Sequence, residues 1–332
     1  MSATSTTARP RPAEFLRGAA ENRKLFRPGG PRPDPTPADG PDPYGSPHPE
    51  WLRIDWREHL RTIDVGGARV NYVEMGEREA IDVVFVHGLS GCWQNWLENI
   101  PHFARQHRVL ALDLPGFGGS PMPPWEISIE AYGRLLLEFL EALGVGDCVV
   151  VGNSMGGFVS AQAATQEPDR LSKLVLASSA GVSHARMRRE PIEALGRMIV
   201  AVTPLTLKLQ QRMILRPRVR EATFTMVFHH PNDLRLELLW EFMSGAGKDG
   251  FLPAFSALAG YDILDRLEDV PVPTLIVWGR NDLIIPPGDA LQFARRLRNS
   301  QTVIFDDCGH VPMAERPLRF NRTLEAFLAR ET

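Results

Sequence analysis

Short runs of continuous apolar residues alternate with longer amphipathic stretches along most of this chain. Ile81 to His87, Arg108 to Leu114, Asp147 to Gly152, Leu174 to Ala177, Thr274 to Trp278 and Thr302 to Phe305 have the texture of strands covered on both faces. Ahead of them, Thr62 to Val65 and Ala68 to Glu74 flank Gly66-Gly67, which predicts a β-hairpin with a two-residue turn. Trp93 to Gln106 is helix-like, and Ser128 to Leu143 is a helix with an acidic start and Gly144 as its stop. Gly156 to Gln166 predicts a helix following directly on the third apolar run. Strands alternating with helices imply an α/β fold with a mostly parallel, doubly wound sheet.

Two regions break the alternation. Residues 1–50 hold 11 of the 28 prolines, and Pro31 to Pro49 is almost wholly Pro, Asp, Gly and small residues. Such a segment buries too little apolar area to offset its ordering entropy, so a disordered or extended arm is expected, with a short helix around Ala13 to Leu25; a docking or lid-covering segment is the alternative. Residues 181–261 contain no strand candidate, only amphipathic helical stretches rich in Met, Leu and Phe. They are expected to form an all-helical cap over the sheet's functional edge, inserted between the two parts of the core, 51–180 and 262–332. An ordinary extra helical layer is the alternative.

The net charge is -3 across 332 residues, with 43% hydrophobic and 23% charged positions. That balance gives no electrostatic case for nucleic acid or an anionic membrane as the main partner. No stretch approaches the roughly 18 to 20 apolar residues of a membrane span, and the N-terminus lacks a signal peptide's apolar core. Cys92, Cys148 and Cys308 have neither disulfide-framework nor metal-type spacing, which fits a cytoplasmic protein acting on a small molecule. No cofactor or metal is expected, and a homodimer stays open.

The chemistry concentrates where strands end. Gly152-Asn153-Ser154-Met155-Gly156-Gly157 joins a buried strand to a helix with small residues on both sides of a serine. Such a turn holds the serine in a strained backbone and presents its hydroxyl at the carboxyl edge of the sheet. A hydroxyl needs a base and the base an orienting carboxylate. His310, in Asp307-Cys308-Gly309-His310-Val311-Pro312, follows the last strand, and Asp282, in Gly279-Arg280-Asn281-Asp282, follows another. Ser154, Asp282 and His310 are therefore the expected nucleophile, acid and base. The amides of Met155, at a helix start, and of Leu89, after His87-Gly88, are the expected oxyanion donors. His87 suits a structural role. His229 and His230, being adjacent, should point to different sides. Trp93 and Trp96 suit either a pocket wall or the core. Arg186, Arg188 and Arg189 could bind a carboxylate, although a solvated basic face explains them as well.

Taken in order, His87-Gly88, Asp113-Leu114-Pro115-Gly116-Phe117-Gly118-Gly119-Ser120, the Ser154 turn, the Asp282 motif and Gly309 to Pro317 resemble the α/β-hydrolase fold superfamily. The resemblance covers about residues 60 to 330 and implies a helical cap after the sixth strand. It also implies that Asp113 shapes its loop without taking part in catalysis. The serine at the elbow sets the chain apart from relatives with an Asp there, the haloalkane dehalogenases and epoxide hydrolases. An acyl enzyme formed from a carboxylic ester is the first expectation. Carbon–carbon hydrolysis like that of meta-cleavage-product hydrolases is the second, since GNSMGG is similar to theirs, but Leu89-Ser90-Gly91-Cys92-Trp93 lacks their glycine run. Perhydrolase side activity ranks third. A hydrolase-fold ligand receptor with little turnover is the non-enzymatic alternative.

Overall fold

The structure, a computed structural model, describes residues 33–77, 81–185 and 214–330. The expected Ala13 to Leu25 helix, the three arginines of the early cap and the cap residues Met187 to Met213 lie outside the described residues. Eight strands form one sheet: β1 (Leu60–Val65), β2 (Ala68–Met75), β3 (Asp82–Val86), β4 (Val109–Leu112), β5 (Cys148–Asn153), β6 (Lys173–Ala177), β7 (Thr274–Gly279) and β8 (Ser300–Phe305). They lie in the order β1-β2-β4-β3-β5-β6-β7-β8. β1 and β2 pair antiparallel through the Gly66-Gly67 turn, β2 joins β4 antiparallel, and every later pairing is parallel. Both turn glycines have positive φ, +59° and +71°, as a primed hairpin turn requires.

Strands β3 to β7 are buried along their whole length, which is why they read as continuous apolar runs. One face packs on the helices Ile129–Ala142, Met155–Gln166 and Gly288–Arg296, and the other on Trp93 to Phe103 and the C-terminal helix Pro317–Leu328. The Ile129–Ala142 helix shows how local sequence sets an element. Ser128 caps it by accepting from the Ala131 amide at 3.1 Å. Gly144, at φ +59°, ends it with paired bonds from Val145 N to Leu140 O and from Gly144 N to Glu141 O, a Schellman closure.

Two expectations are corrected. Trp93 to Gln106 is a 3-10 turn, Trp93–Trp96, followed by a one-turn helix, Ile100–Phe103, with Pro101 near its start. Between them Asn99 turns inward and donates to Met313 O and Asn321 Oδ1, fixing the break. The second concerns only residues 33–50 of the arm, where docking, the alternative, takes the place of disorder. Residues 33–50 do not float free of the core: Thr36 N donates to Ile304 O on β8, and Gly45 N donates to Glu315 O. Three guanidiniums of the C-terminal region supply the missing donors, Arg316 to Asp42 O, Arg319 to Thr36 O and Arg322 to Pro41 O. Arginine caps on carbonyls replace the apolar area that this Pro-rich stretch lacks.

The described part of 181–261 contains the helices Val182–Ala185, Pro217–Phe224, Leu236–Met243 and Phe251–Leu258 and no strand. No helix among the described residues is long and apolar enough to cross a membrane.

Candidate active site

Ser154 stands at the end of β5 with φ +54° and ψ -119°, a region that suits glycine and that a serine occupies only under constraint. The constraint is backbone: Ser154 N donates to Ala177 O at 3.0 Å, and Ser154 O accepts from Ala180 N at 2.9 Å. The flanking glycines are steric necessities. A Cβ on Gly156 would lie 2.2 Å from Val86 O, and one on Gly152 would lie 2.3 Å from Gly156 O. Met155 opens the following helix, so its amide has no acceptor within that helix.

Two neighbouring loops are locked to each other. Asn281 N donates to Cys308 O at 2.8 Å, and a Cβ on Gly279 would come within 1.9 Å of Gly309 O. In consequence His310 Nδ1 lies 2.8 Å from Asp282 Oδ2, with both side chains buried. Asp282 Oδ1 accepts from the amides of Ile284 and Ile285 at 2.8 and 2.9 Å, which leaves Oδ2 for the imidazole. Asn153, next to Ser154, donates from Nδ2 to His310 O at 3.2 Å and so seats the histidine loop beside the elbow. Among the described residues the Ser154 hydroxyl makes no hydrogen bond. Catalytic hydrogen bonds often tighten only once substrate is bound.

Leu89 and Ser90 are the central residues of a turn closed by Gly91 N donating to Gly88 O at 3.0 Å, with Ser90 at φ +59°. The turn touches the elbow, because a Cβ on Gly88 would lie 2.9 Å from the Ser154 Cβ. His87 holds it from behind. Its Nε2 accepts from Leu114 N at 2.9 Å and its Nδ1 donates to Gly88 O at 2.7 Å, while burial lowers its pKa and keeps it neutral. Asp113 is also structural, accepting from Trp93 N, Gly119 N and Asn71 Nδ2.

Glu315 was not singled out in the sequence, although it lies inside the Gly309 to Pro317 motif. Its buried carboxylate accepts from Gly309 N and Val311 N on either side of His310, and also from His229 N and the Tyr44 hydroxyl. Burial raises its pKa, and the donated hydrogen bonds oppose the rise. His184 was missed as well. Burial, then the neighbouring His310, brings its pKa down to about 4, and Asp282 acts on it in the opposite sense. It therefore lies within electrostatic reach of the His310–Asp282 pair.

Two further expectations are corrected. Trp96 is fully buried, stacked on Phe85 at 4.5 Å and close to Phe320, so its ring belongs to the core under the sheet and lines no pocket. Trp93 is also buried, its ring 5.0 Å from that of Trp56. His229 and His230 do not point apart, since both approach Asp307. Among the described residues, the segment 214–261 meets these loops in three ways. Gly245 packs on Ser90 O, Gly250 N donates to Gly116 O, and His310 N donates to Val227 O.

Comparisons with known proteins bear on the family and the fold. The model of the alpha/beta hydrolase family matches residues 83–323. A 2-hydroxy-6-oxo-6-(2'-aminophenyl)hexa-2,4-dienoic acid hydrolase of Metapseudomonas resinovorans is 28% identical over 81% of this chain and 91% of its own. A thermophilic esterase from Thermogutta terrifontis superposes with a TM-score of 0.65 at 26% identity, over 81% of this chain and 97% of its own. The enol-lactonase of Burkholderia xenovorans shares the fold with a TM-score of 0.69 at 20% identity, over 81% and 100%. The chain belongs to the alpha/beta hydrolase family.

Proposed function

We propose that this protein hydrolyses carboxylic esters of apolar small molecules through an acyl enzyme on Ser154, with His310 as base and Asp282 as its orienting acid. The observation that carries the reading is the buried His310–Asp282 pair at 2.8 Å, seated beside a serine held in a glycine-like conformation. His310 takes the Ser154 proton as the hydroxyl attacks the carbonyl, and Asp282 stabilises the imidazolium that forms. The amides of Leu89 and Met155 receive the tetrahedral oxyanion. His310 then protonates the leaving alcohol and activates the water that releases the acid. Residues 181–261 act as a lid, a role supported by their contacts with Ser90, Gly116 and His310. Three buried, unpaired cysteines are compatible with a cytoplasmic setting.

Carbon–carbon hydrolysis of a dienoic keto acid is the second reading, favoured by the activity of the Metapseudomonas relative. Turnover of p-nitrophenyl esters of rising chain length, set beside the keto acid and a Ser154→Ala control, separates the two. Ester turnover lowered about 10^6-fold by Ser154→Ala is the expected result. Much faster keto-acid turnover would promote the second reading. Ligand binding without turnover, indifferent to Ser154→Ala, would leave a receptor.

A further inference from the structure

The sequence spacing of histidines, cysteines and carboxylates suggests no metal site, yet the fold assembles one such group outside the Ser154 centre. His229 and His230, at the end of a cap segment, meet Asp307, which follows β8, with one ligand atom from each lying within 4.8 Å of the others. His229 Nε2 is 3.4 Å from Asp307 Oδ1, and His230 Nε2 is 2.7 Å from the same oxygen. A tetrahedral ion with bonds of about 2.0 to 2.1 Å needs its ligand atoms about 3.4 Å apart. The first pair already has that spacing, and the second exchanges a hydrogen bond for a metal bond by opening roughly 0.7 Å.

The backbones of all three residues are tied down. Glu315 Oε2 accepts from His229 N and the Tyr44 hydroxyl accepts from His230 N, each at 2.8 Å. Asp307 is fixed at φ +51°, and Arg316 donates to its carbonyl and to Oδ2. Arg316 thus orients the carboxylate from behind, as outer partners of metal ligands do, and leaves Oδ1 facing the imidazoles. The three side chains are part-exposed, so an ion can enter and its fourth position opens to solvent.

We infer that His229, His230 and Asp307 form a divalent transition-metal site with two imidazoles and one carboxylate, a donor set suited to Zn2+, that staples the cap to the His310 loop. The site joins segments 77 residues apart in sequence, and Asp307 precedes His310 by only three positions. Occupation therefore holds the cap segment Val227 to His230 against the loop that carries His310. This inference stands apart from the choice between ester and carbon–carbon substrates.

The test is calorimetric titration of Zn2+ into untagged full-length protein, with folding of every variant checked by circular dichroism. One equivalent should bind to the wild type and to His310→Ala. Affinity should fall about 100-fold or more in His230→Ala and in Asp307→Asn, since losing a ligand costs at least as much as losing an outer partner. The thermal midpoint should rise with Zn2+ in the wild type and not in His230→Ala. His230 is half exposed, so its replacement decides the matter even where Asp307→Asn fails to fold. Unchanged affinity in His230→Ala, no binding by the wild type, or binding abolished in His310→Ala but kept in His230→Ala would each overturn the inference.

Discussion

Replacing Ser154 with glycine should make the protein inactive and more stable. At φ +54° and ψ -119° the serine pays about 1 to 3 kcal/mol for a conformation that glycine adopts without strain. The bonds that enforce it, to Ala177 O and from Ala180 N, are backbone bonds and survive the change. No side-chain hydrogen bond among the described residues is lost with the hydroxyl. Against the relief stands glycine's greater freedom in the unfolded chain, about 0.5 to 1 kcal/mol. From the middle of each range the net expectation is a gain of about 1.25 kcal/mol, which at roughly 2 to 4 °C per kcal/mol raises the thermal midpoint by about 2.5 to 5 °C. Ser154→Ala keeps its Cβ, hence the strain, and should stay within about 0.5 kcal/mol of the wild type. Urea unfolding followed by tryptophan fluorescence compares the three proteins. A Ser154→Gly midpoint at or below that of Ser154→Ala would refute the claim that strain is stored at the elbow.

Three other changes have defined outcomes. In Asp282→Asn the two amide bonds to Oδ1 preserve the loop, so kcat should fall about 10^4-fold with little change in KM, and a loss under about tenfold would remove Asp282 from the triad. Glu98 accepts from Trp51 Nε1, and burial pushes its pKa up to about 7 from an ordinary 4.5. The folded state therefore binds more protons than the unfolded chain in that window, and stability falls on the order of 1 to 3 kcal/mol as pH rises through it. Glu98→Gln should abolish that fall, and a wild-type-to-variant gap equal at about pH 5 and about pH 8 would contradict the assignment. Glu315→Gln turns an amide NH2 toward backbone donors, so it should cost about 1 to 3 kcal/mol in urea unfolding and lower kcat more than it raises KM.

The sheet was legible because its inner strands are covered on both faces, so each reads as an apolar run bounded by turn residues. The hairpin was legible through Gly66-Gly67, and the long helix through Ser128 and Gly144. Ser154, Asp282 and His310 could be picked out because each closely follows a strand that reads clearly. What stayed hidden depends on partners remote in sequence. Residues 33–50 look too polar and Pro-rich to dock, since the arginines that cap their carbonyls lie near position 320. The convergence of His229 and His230 on Asp307 depends on how a cap segment lies against β8, which no local period encodes. Trp96 could not be assigned between wall and core without Phe85 and Phe320 in place.

The clasp between Tyr44 and Glu315 spans 271 residues of chain. Closing so long a loop costs about 2 kcal/mol more chain entropy than closing one of roughly 20 residues. On a ribosome the central strands and the Ser154 elbow emerge well before the segment that bears His310. The buttress of the histidine loop can form only when Glu315 is free to meet Tyr44. The proposed Ser154 centre then gains its histidine loop only after residues 309–315 have been made, and a product cut short of them keeps the elbow without the proposed base.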